Sequence, residues 1–167
     1  LKEFIDEAKQ QEWFDNTIFV FVGDHGKIVG TPRSDMPLSF NHVPLFIYSP
    51  SFIEPRQIQD LGGQVDIAPT ILGLLNIDYT DNGFGVILLQ EKRKAAVFTS
   101  DDAIGCVNDS LFYIYKPKEN QEWLLSQERA IEKGGNIDNP AVCQELREYA
   151  FSMLQTAQYL MSNNLTG

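Results

Sequence analysis

The sequence predicts an α/β fold, in which a sheet covered by helices is followed by a small antiparallel sheet and a long C-terminal helix. Residues 18–22 form an unbroken run of β-branched and aromatic side chains. Such a run is typical of a strand that is buried on both faces, as in a parallel sheet covered by helices. Residues 43–48 form a second apolar run. Over residues 1–8, apolar side chains recur at three- and four-residue intervals, which predicts a helix before the first strand.

Caps and prolines predict the elements that follow. Pro44 fits a strand only near its start or at a sheet edge. Asp66 is a good N-cap for a helix over residues 67–76, and the first turn of that helix tolerates Pro69. Capping explains the presence of Asp66, so we assign it no catalytic role. The helix is apolar nearly all round, so we expect it to be buried, and Asn76 can end it in the left-handed conformation.

The second half of the chain is predicted to form a separate small sheet with helices. Residues 95–99 and 111–115 are predicted strands, close enough in sequence to be antiparallel. Residues 121–133 are weakly helical in pattern. Asn139, followed by proline, begins a last helix of about six turns. The predicted domains are residues 1–92, the α/β part, and residues 93–167, the small antiparallel sheet with C-terminal helices packed on it.

Composition limits the possible functions. The net charge of −10 argues against a nucleic-acid surface, because no basic stripe is present to neutralise phosphates. No apolar stretch approaches the ~18–20 residues that cross a bilayer. Because the chain opens inside a predicted helix and without Met, we expect it to be part of a longer protein. Cys106 and Cys143 are too few for a disulfide scaffold; we expect free thiols, with a single bridge as the alternative.

A candidate metal site follows the first predicted strand directly. The strand runs into Gly23, Asp24, His25 and Gly26, and ligands of open α/β sheets bind at the carboxyl ends of strands. A carboxylate and a neutral imidazole offer an oxygen and a nitrogen ligand that suit a divalent metal such as Zn²⁺ or Mn²⁺. The alternative is a structural turn in which His25 is merely satisfied by a hydrogen bond.

The polar stretch after this turn has the character of a functional loop. Residues 27–41 contain glycine and proline and carry Lys27 and Arg33, and long irregular connections are usually functional. The loop ends at His42, just before the second predicted strand. His42 is either a metal ligand or anion-binding cation in the same crevice, or a loop histidine that caps or packs.

Three blocks in this order and spacing resemble a known family. They are residues 16–26 (NTIFVFVGDHG), 42–50 (HVPLFIYSP) and 64–77 (QVDIAPTILGLLNI). The chain resembles the C-terminal part of sulfatase-like enzymes of the alkaline phosphatase superfamily, and within them the lipoteichoic acid synthase branch, the phosphoglycerol transferases. The resemblance is strong to about residue 90. It is weaker to about residue 116, where the sequence is similar to that family's small antiparallel sheet. It implies the C-terminal part of an alkaline-phosphatase-like sheet.

The resemblance implies a metalloenzyme that acts on sulfate or phosphate esters. The family's Asp-His pair after the strand binds a catalytic divalent metal (Mn, Mg, Zn or Ca) and maps to Asp24 and His25. The family's nucleophile, which forms a covalent ester intermediate, and its other metal-ligating acids lie N-terminal of these blocks and are absent here. Cys106 and Cys143 lie outside any matching motif. Two ligands are too few for such a metal, so these residues alone should bind metal poorly. His42 could bind the substrate anion or stabilise the leaving oxygen.

The sequence leaves several functions open. Phosphoglycerol or phosphoethanolamine transfer to an envelope lipid or glycan competes with sulfate-ester hydrolysis, and a non-catalytic α/β binding module is the third interpretation. The resemblance implies the N-terminal half of the same polypeptide as a partner and a location in the cell envelope, membrane-anchored, periplasmic or extracellular. Without that half, we expect the chain to expose apolar surface and to be prone to self-association.

Overall fold

The computed structural model describes residues 1–28, 36–100, 102–127 and 136–165. The helices are α1 (Lys2–Ala8), α2 (Leu38–Asn41), α3 (Ile67–Leu74) and α4 (Pro140–Ser162), with 3₁₀ turns at Phe14–Asn16 and Gln64–Asp66. The strands are β1 (Phe19–Val22), β2 (Leu45–Tyr48), β3 (Ala96–Thr99), β4 (Ile104–Val107), β5 (Leu111–Lys116) and β6 (Gln121–Ser126).

The first two strands pair in the direction opposite to the one expected. β1 and β2 are antiparallel, with Phe19 opposite Tyr48 and Val22 opposite Leu45, so the parallel arrangement inferred from the apolar run is wrong for this pair. The run indicates burial and not strand direction, because any strand covered on both faces is apolar throughout. The expected burial is also incomplete, since Phe19 is buried but Val22 is exposed. The antiparallel register brings the end of β1 beside the start of β2.

One face of this strand pair is covered by the N-terminal segment. Ala8 from α1 and Phe14 from the following 3₁₀ turn pack against Phe19, and all three are buried. The rings of Phe14 and Phe19 lie 5.5 Å apart. Other apolar side chains of this part of the chain are exposed, including Phe4 and Phe46. As expected, apolar surface of α1 and the strand pair is uncovered within this chain.

The second sheet is a four-stranded antiparallel meander in the order β3-β4-β5-β6. The strands predicted at residues 95–99 and 111–115 are confirmed as β3 and β5. β4 lacks a clear sequence signal, because Gly105 breaks its apolar pattern. The weak helical pattern over residues 121–133 is wrong for residues 121–126, which form β6. Gln127 is helical, and the rest of that prediction, residues 128–133, lies outside the described residues.

Burial on both faces of the meander explains why it forms. One face packs Phe112, Ile114 and Leu125 with Met36 and Leu38 from the segment before β2. The other face packs Cys106, Tyr113 and Leu124 against Leu146 and Ala150 of α4.

The long last helix begins and ends as its sequence predicts. α4 spans 23 residues, and its Asn139 N-cap accepts a hydrogen bond from the Val142 backbone N–H. Asn164 follows in the left-handed region at φ 53°. Within the described ranges, no helix combines the length and the apolar character needed to cross a bilayer.

The two cysteines are free thiols, as expected. Cys106 is fully buried in the meander, and this burial raises the pKa of its thiol to about 12. Cys143 is only partly buried, and burial raises its pKa as well. Both thiols are therefore protonated at neutral pH, which disfavours a nucleophilic role.

Asp66 stands at the N-cap position of α3, but the prediction that its side chain caps the helix is wrong. Its side chain makes no capping hydrogen bond to α3. Instead the carboxylate is completely buried and accepts hydrogen bonds from the backbone N–H groups of Gly63 and Val86 and from the guanidinium of Arg93. Arg93 is also buried and donates to the carbonyl of Phe84. This ion pair joins the 3₁₀ turn before α3 to the irregular segment 84–93.

α3 itself is less covered than its composition suggests. Pro69 and Thr70 are buried, but most of the helix is partly exposed within this chain. Asn76 lies in the left-handed region at φ 51°, as predicted for the helix end.

We predict that Arg93→Met destabilises the fold strongly. The substitution leaves the buried Asp66 carboxylate without its counter-ion, which costs about 3–5 kcal/mol. The measurement is the free energy of unfolding from urea denaturation. Arg147→Met is the matched control, because the Arg147–Glu122 pair is partly exposed and such pairs contribute at most about 1 kcal/mol. Equal losses for the two variants would contradict this role of the buried pair.

Candidate metal site at the end of β1

The turn at residues 23–26 is built where β1 ends against β2. Val22 is paired with Leu45, so the backbone after Val22 runs past the residues that lead into β2. A Cβ atom on Gly23 would lie 3.2 Å from Cγ1 of Val43. A side chain here would force Val43 to move, and glycine therefore permits the close approach of the two segments.

Asp24 presents an ionised carboxylate to solvent. Its side chain is 89% exposed, and Oδ1 accepts a hydrogen bond of 2.8 Å from the backbone N–H of His25. This hydrogen bond, with a smaller contribution from the nearby His25 ring, lowers the pKa of the Asp24 carboxyl below its ordinary value. The group is therefore ionised at neutral pH, as a metal ligand must be.

The ring of His25 is fixed in one orientation and one tautomer. Nδ1 lies 2.8 Å from the carbonyl oxygen of Gly26, and because a carbonyl only accepts, Nδ1 carries the proton. The ring stacks on Phe40 at 4.6 Å between centroids. Nε2 keeps its lone pair in the neutral ring and lies 3.8 Å from Oδ2 of Asp24. Metal-binding histidines have this arrangement, with the second nitrogen donating to a carbonyl or carboxylate.

The short helix α2 holds the other side of the turn. The backbone N–H of Gly26 donates to the carbonyl of Phe40 at 2.7 Å. A Cβ atom on Gly26 would lie 2.2 Å from the carbonyl oxygen of Ser39, so only glycine fits without a backbone shift.

His42 lies next to this contact and ends α2. Its backbone N–H donates to Leu38, and its carbonyl oxygen would lie 3.2 Å from a Cβ on Gly26. The antiparallel register thus brings the backbone of His42 to the Asp24–His25 turn. Its side chain is exposed, and its role as an anion or leaving-group contact stays a prediction. Lys27 is exposed beside the turn, and Arg33 lies outside the described residues.

Gln64 contacts the turn from a distant part of the chain. Its side-chain Nε2 donates to the carbonyl oxygens of Gly23 and Asp24, at 2.8 and 3.4 Å. No sequence pattern assigns Gln64 a role at this site. Gln64 is the first residue of the block 64–77, and its contact with the turn spans about 40 residues.

The donor set fits part of a metal site. Asp24 and His25 supply one carboxylate and one imidazole with the expected support behind the ring. In the part of the chain that the structure describes, no group of three or more His, Cys, Asp or Glu side chains could hold a metal ion. Because such ions take four or more ligands, Asp24 and His25 alone would not complete a metal site.

Comparisons with known proteins find relatives of this chain. The Sulfatase family model matches residues 1–77. The chain is 34% identical over 111 residues to the lipoteichoic acid synthase-like protein YvgJ of Bacillus subtilis. The matched region covers 56% of this chain and 18% of that protein. It is 29% identical to lipoteichoic acid synthase 2 of the same organism, covering 62% and 18%. Arylsulfatase K of Gallus gallus is 31% identical, covering 53% and 17%. The chain thus spans less than a fifth of these relatives.

Solved structures share the fold over nearly the whole chain. A protein of the alkaline phosphatase superfamily from Vibrio parahaemolyticus matches with a TM-score of 0.78 at 20% identity, covering 99% of this chain and 40% of that one. The 2-O GAG sulfatase BT1596 matches with a TM-score of 0.68 at 17% identity, covering 98% and 40%. The expected resemblance in fold is confirmed.

We predict that Gly26→Ala destabilises the turn. The added methyl would overlap the carbonyl of Ser39, and relieving such overlap typically costs about 1–3 kcal/mol. The measurement is the free energy of unfolding. Gly63→Ala is the control, because the nearest atom to its Cβ would lie at 3.6 Å, an ordinary contact distance. A Gly26→Ala protein as stable as the control would show that the approach of α2 to the turn is not tight.

Proposed function

We propose that the complete protein is a metal-dependent enzyme that transfers or hydrolyses phosphate or sulfate esters. The premise is that residues 1–77 belong to the sulfatase family. The observation that carries the proposal is the Asp24–His25 pair. An ionised carboxylate and an imidazole with a free Nε2 lie side by side and exposed at the end of β1. In this proposal both are ligands of a divalent metal, Mn, Mg, Zn or Ca.

A bound metal would supply positive charge that lowers the pKa of a hydroxyl nucleophile and stabilises the charge on the transferred group. Hydrogen bonds within the turn favour the protonation states of Asp24 and His25 that metal binding requires. The hydrogen bond that Asp24 accepts from the His25 backbone N–H lowers the pKa of its carboxyl, and the Gly26 carbonyl accepts from Nδ1 of His25, which leaves the lone pair on Nε2. His42 follows α2 beside the same turn and would contact the substrate anion or the leaving oxygen.

The nucleophile and the remaining metal ligands belong, in this proposal, to the N-terminal half of the same polypeptide. Cys106 is buried within the small sheet and keeps its proton. Neither it nor Cys143 lies on the segments that form the Asp24–His25 turn. The covalent ester intermediate of this enzyme class would therefore form on a residue of that N-terminal half.

Phosphoglycerol transfer is the specific reaction that we favour. Two Bacillus subtilis relatives are named lipoteichoic acid synthase or lipoteichoic acid synthase-like, and one of them is 34% identical to this chain. The substrate would then be an envelope lipid or glycan, and the protein would act in the cell envelope. Sulfate-ester hydrolysis is the second candidate, supported by the 31% identity to an arylsulfatase.

We predict that Asp24→Asn and His25→Gln each abolish metal binding and turnover together. Each substitution removes one ligand, and the loss in kcat/KM should be at least about 100-fold, comparable to removal of a key electrostatic group in a catalytic site. The complete protein is assayed for metal content by elemental analysis and for hydrolysis of p-nitrophenyl phosphate and p-nitrophenyl sulfate. The preferred ester distinguishes a transferase from a sulfatase.

Two further variants serve as controls. Asp78→Asn changes an exposed aspartate after α3 and should leave metal content and turnover unchanged. His42→Gln should keep the metal and lower turnover. If wild type holds no metal and the Asp24 and His25 variants change only stability, the turn is structural and the protein is a non-catalytic α/β binding module.

A further inference from the structure

We infer that Gln64 is a positioning residue, which fixes the direction of the Asp24 carboxylate for the metal. This inference rests on the proposed function, because it concerns the same site. The observation behind it is the pair of contacts from one side-chain amide to the carbonyls of Gly23 and Asp24.

The two carbonyls lie in the peptide units on either side of the Asp24 Cα. The Gly23 carbonyl belongs to the unit before Asp24, and the Asp24 carbonyl belongs to the unit after it. Since Asp24 has only two soft backbone torsions, holding both peptide planes fixes the direction of its Cβ. The second unit also contains the His25 N–H that donates to Oδ1 of Asp24. Gln64 therefore acts on the backbone that aims and orients the carboxylate.

The backbone that carries Gln64 is itself fixed. Gln64 begins a 3₁₀ turn that is closed by two reciprocal bonds, from the Gly63 N–H to Asp66 Oδ2 at 2.7 Å and from the Asp66 N–H to the Gly63 carbonyl at 2.9 Å. Asp66 is anchored in turn by its buried pair with Arg93. A rigid base allows an exposed side chain to hold the turn in place.

The two ligands of the pair thus have separate supports. The stacked ring of Phe40 and the Gly26 carbonyl hold His25 from the α2 side. Gln64 holds Asp24 from the α3 side. Loss of the Gln64 amide should loosen Asp24 while the histidine half of the site stays in place.

The test compares Gln64→Met with wild type in the complete protein. Methionine has nearly the same length but cannot donate, so Mn²⁺ affinity measured by titration calorimetry should fall about tenfold or more, as for other residues that orient metal ligands. Gln64→Asn keeps the amide but is one methylene too short, and it should lose affinity as well. Gln155→Met is the matched control, since Gln155 is exposed on α4, and it should bind Mn²⁺ like wild type.

The midpoint of thermal unfolding without metal separates positioning from stability. A positioning role predicts weaker Mn²⁺ binding with a metal-free midpoint close to that of the Gln155 variant. Unchanged Mn²⁺ affinity in both Gln64 variants would overturn the role of Gln64 and leave the proposed function intact. A wild type that takes up none of Mn²⁺, Mg²⁺, Zn²⁺ and Ca²⁺ would overturn the proposed function and, with it, this role.

Discussion

The antiparallel pairing of β1 with β2 is the constraint on which the candidate site depends. Because Val22 lies opposite Leu45, the turn after β1 meets the segment that leads into β2. That meeting places Gly26 against α2 and allows Phe40 to stack on His25. A parallel partner would have started at the opposite end of β1, far from the turn. Strand direction therefore decides which loop supports the Asp24–His25 pair.

The buried Asp66–Arg93 pair connects this site to the rest of the chain. It fixes the 3₁₀ turn before α3 and ties it to the segment that leads into the four-stranded sheet. Gln64 extends from that turn to the backbone of Asp24. A buried charge pair is costly to break, so it suits a position where rigidity matters more than net stability. The hydrogen bonds from Gln64 to the carbonyls of Gly23 and Asp24 connect this rigid region to the exposed turn.

Elements with strong local signals could be predicted from the sequence, and elements decided by distant contacts could not. Asn139 followed by proline marks the start of α4, and Pro44, expected near the start of a strand or at a sheet edge, directly precedes β2. The direction of β2 and the strand character of residues 121–126 depend on pairing partners that no local pattern identifies. Asp24 and His25 stand out because a carboxylate and an imidazole follow a strand between two glycines. The supports from Phe40 and Gln64 arise only when distant segments meet, so no local pattern predicts them.

The central claim is that Asp24 and His25 bind one divalent metal through a carboxylate oxygen and Nε2. The most direct measurement is a crystal structure of the complete protein grown with Mn²⁺, with anomalous diffraction recorded at the manganese edge. The account predicts an anomalous peak that contacts both the Asp24 carboxylate and Nε2 of His25, with Nδ1 still bonded to the Gly26 carbonyl. A peak elsewhere, with Nε2 donating a hydrogen bond to a protein acceptor, would contradict it.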